Sequence, residues 1–126
     1  MIEDLFSILR NENLEGEVQK TDTVLGSEYR NSNNELIIRT QSNLFGGEDY
    51  FDSKNGLKLG YSESNILGGH DTYDSNGKVS SSSRNIFGGY NITNNEQQSF
   101  TSEKNIFNET IIKNQNNNIL KSRNVF

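Results

Sequence analysis

Apolar residues in this chain come in pairs, and the pairs recur. They stand at Val24-Leu25, Leu44-Phe45, Ile66-Leu67, Ile86-Phe87, Ile106-Phe107 and Val125-Phe126, at intervals close to 20 residues. Asn43, Asn65, Asn85, Asn105 and Asn124 each precede a pair, and Thr23 holds that slot in the first copy. Gly-Gly follows the pair in three copies, so the chain reads NLFGGE, NILGGH and NIFGGY in turn. A hydroxyl residue (Thr40, Ser62, Ser82 or Ser102) lies three positions before each of the four middle Asn residues. A fixed period of this kind is the mark of a repeat architecture, with one supersecondary unit per period.

Between the pairs the pattern changes to short alternating runs around turn residues. Asn55-Gly56 and Asn76-Gly77 each separate two such runs. Asn-Gly in that setting is a strong hairpin signal, because both residues tolerate positive φ. Residues 32–34, 94–96 and 116–118 are Asn-rich and take the same place in the other copies. The pattern predicts five β-hairpins, at residues 28–40, 48–62, 70–82, 90–102 and 109–122. One hairpin is marginal in water, so the units must cover one another. On this reading Leu44, Phe45, Ile66, Leu67, Ile86, Phe87, Ile106 and Phe107 are the joints, plugging the gaps between successive hairpins, and Gly-Gly turns the backbone into the next unit. The N-terminal stretch differs. Ile2, Leu5, Phe6 and Leu9 have helical spacing, with Glu3 and Asp4 in the first turn and Arg10 near the end, which predicts a helix over residues 2–11 that caps the first hairpin.

The expected fold is therefore an all-β repeat array of about five β-hairpins, meander or solenoid-like, with a short N-terminal capping helix. Residues 1–22 form the helix and cap and residues 23–126 the hairpin repeats, within one domain. Open sheet, solenoid and closed barrel all remain compatible with the pattern.

Composition narrows the picture. Only 30% of the 126 residues are apolar, and the chain holds 20 Asn and 15 Ser. Globular domains usually reach 45–50% on a similar count, so a thick central core is excluded and each unit must bury a little surface against a neighbour. The net charge of −5 and pI of 4.8 argue against nucleic acid as a partner. There is no Cys, hence no disulfide and no thiolate metal site. The N-terminus has acidic residues where a secretory signal needs positive ones, and no long apolar segment is present, so the expectation is a cytoplasmic protein that does not engage a membrane.

Catalytic chemistry is poorly provided for. His70 is the only His, and it occupies a slot that holds Glu48 and Tyr90 in neighbouring copies. No nucleophile elbow or phosphate loop is present. Asp49 and Asp52, like Asp71 and Asp74, are three apart, but the oxygen spacing of a calcium loop is missing, and the Asp residues before Asn-Gly are better read as bonding the turn amides. No enzyme, no cofactor and no metal is expected. Tyr50, Tyr61, Tyr73, Tyr90 and Phe100, with Phe51, lie on the predicted strands; on one face they would form an aromatic binding stripe, and otherwise they pack across strands as core.

The units resemble those of uncharacterised bacterial β-hairpin repeat proteins, of the form N-I-F-G-G-x-D-Y-Y-D-x-N-G, over residues 23–126 and best at 43–62. The resemblance implies a hairpin array and no particular activity. A more distant similarity is to choline-binding and toxin cell-wall repeats, which place an aromatic strand before an Asn/Asp-Gly turn and grip choline or sugar with Trp and Tyr; this chain contains no Trp. Together these features point to a non-enzymatic protein-binding, adaptor or inhibitor-type repeat protein. A self-assembling structural protein, joined through sheet edges or the helix, and a cell-wall glycan-binding module are the alternatives. The expected partner is another protein or a second copy of the chain.

Overall fold

The computed structural model describes residues 1–9, 16–114 and 118–124, and three predicted features lie wholly or partly outside them: Arg10, the tip of the last turn and the pair Val125-Phe126. The chain is nearly all β, with one helix, α1 (Ile2–Ile8). Eleven strands follow among the described residues: β1 (Gly16–Asp22), β2 (Gly26–Arg30), β3 (Leu36–Ser42), β4 (Glu48–Asp52), β5 (Lys58–Ser64), β6 (Gly68–Asp74), β7 (Gly77–Arg84), β8 (Tyr90–Asn94), β9 (Ser99–Lys104), β10 (Thr110–Lys113) and β11 (Asn118–Asn124). The five predicted hairpins are present as β2–β3, β4–β5, β6–β7, β8–β9 and β10–β11.

The array is not open. Successive strands pair antiparallel all the way round, and β1 closes the ring by pairing with β11, Val18 opposite Ser122. An up-and-down ring with an odd number of strands must close between two strands of the same direction, so β1–β11 is parallel. The sequence pattern places residues 16–22 in the cap; they instead form β1, the strand that turns a meander into a barrel. Closure removes the free edges that an open array would expose.

An eight-stranded barrel is just filled by its own side chains, and a wider one needs something else inside. Here α1 supplies it. Leu5 is fully buried, and Ile2 nearly so, in a cluster with Val18, Tyr29, Ile38, Tyr50, Ile112 and Leu120. The helix lies against β5–β8. The inward positions there are largely small: Gly60, Ser62, Thr72, Ser80 and Ser82. A Cβ on Gly60 would come within 2.8 Å of Ile8 Cδ1. Most of the larger buried residues, Val18, Tyr29, Ile38, Tyr50, Ile112 and Leu120, come from β1–β4 and β10–β11 and fill the lumen from the opposite side, while Val79 on β7 and Ile92 on β8 are the large exceptions on the helix side. A plugged barrel with one small and one large wall explains how so polar a chain builds a core. The helix therefore does not cap an end, and it is shorter than the sequence predicts.

The outer wall carries cross-strand ion pairs, among them Arg39–Glu28, Lys58–Asp49, Lys78–Asp71 and Lys113–Glu103, at 3.0–3.5 Å. Among the described residues no helix is long and apolar enough to cross a membrane.

Candidate functional site

Because the strands alternate in direction, the turns β1–β2, β3–β4, β5–β6, β7–β8 and β9–β10 all lie at one end of the barrel. These are the turns that carry the apolar pairs. In each pair the first residue stands free: Val24, Leu44, Ile66, Ile86 and Ile106 are 91–102% exposed. The second residues, Leu25, Phe45, Leu67, Phe87 and Phe107, are 60–75% exposed. The prediction that these residues plug joints is overturned. In a closed ring neighbouring hairpins are hydrogen-bonded strand to strand, so there is no gap to plug. The pairs project outward as a crown of ten large apolar side chains on one rim. Among the described residues the opposite rim is built of polar, Asn-rich turns, with Leu57 its exposed large apolar residue.

Every other letter of the repeat has a structural task at the crown. In the turn at residues 85–89, the Asn85 side-chain oxygen accepts the amides of Phe87 and Gly89 at 2.9 and 3.1 Å, and its side-chain nitrogen donates to the Ser102 carbonyl. The Ser102 hydroxyl accepts the Tyr90 amide at 2.8 Å. Gly88 has φ +79°, and a Cβ on Gly89 would lie 2.2 Å from the Ser102 carbonyl oxygen. The turns at 43–47 and 65–69 repeat this set, with Ser62 and Ser82 in the serine position. At 105–109 Asn108 takes the positive φ, 60°, in place of Gly. Nothing in this framework requires Ile, Leu or Phe side chains at the two tips. Exposed apolar clusters of this extent mark interaction sites in soluble folds.

The aromatic residues do not form one stripe. Tyr50 is fully buried in the lumen, its hydroxyl 3.4 Å from Asp4 and from Ser62, and burial raises its pKa well above the ordinary value. Phe100 packs edge-on to Phe6 of the plug at 5.1 Å. Tyr61 and Tyr73 stack on the outer wall, centroids 5.0 Å apart, with the Lys58 ammonium over the Tyr61 ring and Tyr73 bonded to Glu63. Phe51 is half-buried on β4, opposite Arg39. Tyr90 sits at the crown rim beneath Arg84. Tyr90 belongs to the crown end, and Tyr61 on the wall borders a hollow that the crown residues Leu44 and Phe45 also line.

Inside the crown, charged groups hold the plug. The Met1 ammonium pairs with Glu48, and the Ser102 hydroxyl donates to Glu3 at 3.0 Å. Burial would raise Glu48, but the Met1 ammonium, Thr40 and Lys20 together outweigh it and the pKa is lowered; for Glu3 burial prevails and the pKa is raised. His70 Nδ1 lies 2.9 Å from Asp4 Oδ2, and Nε2 lies 3.2 Å from the Gly46 carbonyl oxygen. Two acceptors on the two nitrogens favour the imidazolium, and the hydrogen bond to Asp4 raises the His70 pKa against the opposing effect of burial. Nδ1 is engaged with the plug through Asp4 and Nε2 with the neighbouring crown turn through Gly46, and among the described residues no cluster of three or more metal-ligating side chains is present. Asp52 and Asp74 accept turn amides, Lys54 and Asn55 for the former and Asn76 for the latter, as the turn reading expects.

No family model, no curated protein and no solved structure matches this chain.

Proposed function

We propose that this protein is a non-enzymatic docking module that engages its target with the crown. The observation that carries the reading is the division of labour within the repeat: Asn, Gly and Ser build the turn, and the two residues the turn does not need are large, apolar and exposed in all five described copies. Magnitudes favour collective engagement. One apolar pair buried on binding contributes at most about 3–5 kcal/mol, whereas association costs roughly 4–15 kcal/mol in lost freedom. A single turn would not hold a target; several rigid turns together would.

The alternatives have less support. Edge-to-edge assembly has no free strand to use once the ring is closed, and the helix proposed as an anchor is inside the lumen, so self-association would have to run crown to crown. A glycan stripe is divided between lumen, wall and rim, and the Tyr61 ring already takes Tyr73 and Lys58.

The test compares the full chain with a variant carrying Leu44→Ser, Ile66→Ser, Ile86→Ser and Ile106→Ser. Both are mixed with host extract separated into soluble and membrane fractions. The reading expects retention by one fraction that the variant loses while keeping its unfolding temperature. Equal retention of the two proteins would refute it.

A further inference from the structure

The crown also suggests what kind of surface it meets, an inference that rests on the docking reading above. Its tips stand on five separate turns, with polar Asn side chains in each turn, and beside one of them lies a hollow of about 420 Å³ bordered by Leu44, Phe45, Lys58, Tyr61 and Glu63. A rigid protein partner would have to offer matching pockets spaced around a circle. A lipid interface yields to each tip independently, and binding there scales with buried apolar area plus attraction to the headgroups.

Charge in one sector of the rim fits that surface. A cavity of about 180 Å³ opens beside the plug at the crown end, lined by Lys20, Tyr90, Lys104, Asn108, Thr110 and Ser122. Lys20 reaches Asp22 only at 3.6 Å, and the Lys104 ammonium lies 3.5 Å from the Asn108 side-chain oxygen. Arg84 stands over Tyr90, 6.0 Å from the ring centroid, at the edge of the same sector. Lys104 and Arg84 each precede the Asn of a crown turn, so the cations sit one step below the apolar tips. Glu3 also borders the cavity, and it accepts the Ser102 hydroxyl. Asp22, Glu48 and Glu109 share this level of the ring, each paired with a cation. The order of a leaflet entered from the water side, acyl boundary first and phosphate next, is therefore met in the sector of Lys20, Arg84 and Lys104 and not around the whole rim.

We infer that the crown seats in the interface of a phospholipid bilayer, with Lys20, Arg84 and Lys104 facing lipid phosphates around the lumen mouth. The wall, which carries ion pairs, stays in water, so this is peripheral seating and the barrel does not span. Apolar insertion supplies most of the affinity, because the chain as a whole is acidic at −5 and a heavily anionic surface would repel it.

Vesicle flotation of the full chain tests this, using phosphatidylcholine alone and phosphatidylcholine with a minority of phosphatidylglycerol. The wild type should float with both and more tightly with the second. The four-site crown variant should remain at the bottom of the gradient. Lys20→Gln with Lys104→Gln should bind the phosphatidylglycerol vesicles on the order of 20-fold more weakly, since each lysine near such a surface contributes roughly fivefold. Flotation that the crown variant retains would overturn the inference. So would crown-dependent retention by the soluble host fraction with no flotation, an outcome that leaves the docking reading standing. Inorganic phosphate alone should not shift the unfolding temperature; a shift without flotation would make the mouth a soluble-anion site and overturn the lipid assignment.

Discussion

The side-chain nitrogen of Asn85 lies 2.9 Å from the main-chain oxygen of Ser102, and this bond joins a turn of one repeat to the strand of the next. The same Asn braces its own turn through two further bonds from the Phe87 and Gly89 amides. Asn85→Ala removes all three acceptances and donations at once and leaves the Ser102 carbonyl short of one partner. The expected loss is about 1–3 kcal/mol, read by denaturant unfolding. Asn85→Asp keeps the acceptor oxygen but cannot donate, and should fall between the variant and the wild type.

The two glycines of that turn are needed for different reasons, and the difference is measurable. Gly88 has φ +79° with open space about it, its nearest neighbour for a Cβ being Lys104 Cβ at 3.7 Å, so Gly88→Ala should cost only the left-handed strain of about 1–2 kcal/mol. Gly89 has no such freedom. A Cβ there would lie 2.2 Å from the Ser102 carbonyl oxygen, and β8 would have to move away from β9. Gly89→Ala should cost roughly 3 kcal/mol or more by thermal unfolding. Equal losses at the two positions would show that close approach does not set the second one.

These relationships also show what was legible in the sequence. The hairpins, their turn residues and the Asp–amide bonds of Asp52 and Asp74 follow from local rules, so they could be read directly. The role of Ile-Phe could not. A recurring apolar pair in a polar chain is ordinarily core, and the inference to buried joints failed because closure was invisible. Closure depends on β1, whose residues 16–22, GEVQKTD, have weak strand character alone and pair between β11 and β2 only in the ring. The lumen was hidden for the same reason. In sequence Ser62, Ser82 and Ser102 are a recurring mark of the repeat; in the barrel they are buried and make the wall thin enough to admit a helix. The crown is spread two residues at a time over five turns, so no single window of sequence displays it.

Charge at the plug makes stability depend on pH in a definite direction. The raised pKa of His70 means that its stabilising contribution is complete below the unfolded value near 6.5 and is lost as pH climbs through the higher folded value. The raised pKa of Glu3 acts the same way, since ionising a buried carboxyl becomes costly as pH rises above its unfolded value. Glu48 acts oppositely: its lowered pKa gives stability that is present above the unfolded value near 4.5 and fades as pH falls. The unfolding temperature should therefore peak at mildly acidic pH, roughly 5 to 6, and decline toward pH 8. His70→Gln should flatten the decline above pH 6 while leaving the acidic limb in place. A profile that rises steadily from pH 6 to 8 in the wild type would contradict the assignment.

The largest single stability effect should come from outside the repeats. Ile86 is 91% exposed, so Ile86→Ser should leave unfolding nearly unchanged, although it alters a position that is apolar in every copy. Leu5 is fully buried, in the cluster that joins the plug to Val18, Tyr29, Ile38, Tyr50, Ile112 and Leu120. An eleven-stranded wall cannot close down on the space left by a truncated plug, because its circumference is set by the strand count and the hydrogen-bond register. Leu5→Ala should therefore keep most of its cavity and cost about 2–5 kcal/mol, near the upper part of that range. Calorimetric unfolding of the two variants side by side checks both statements. The contrast separates the residues that hold the barrel together from those it holds up for use.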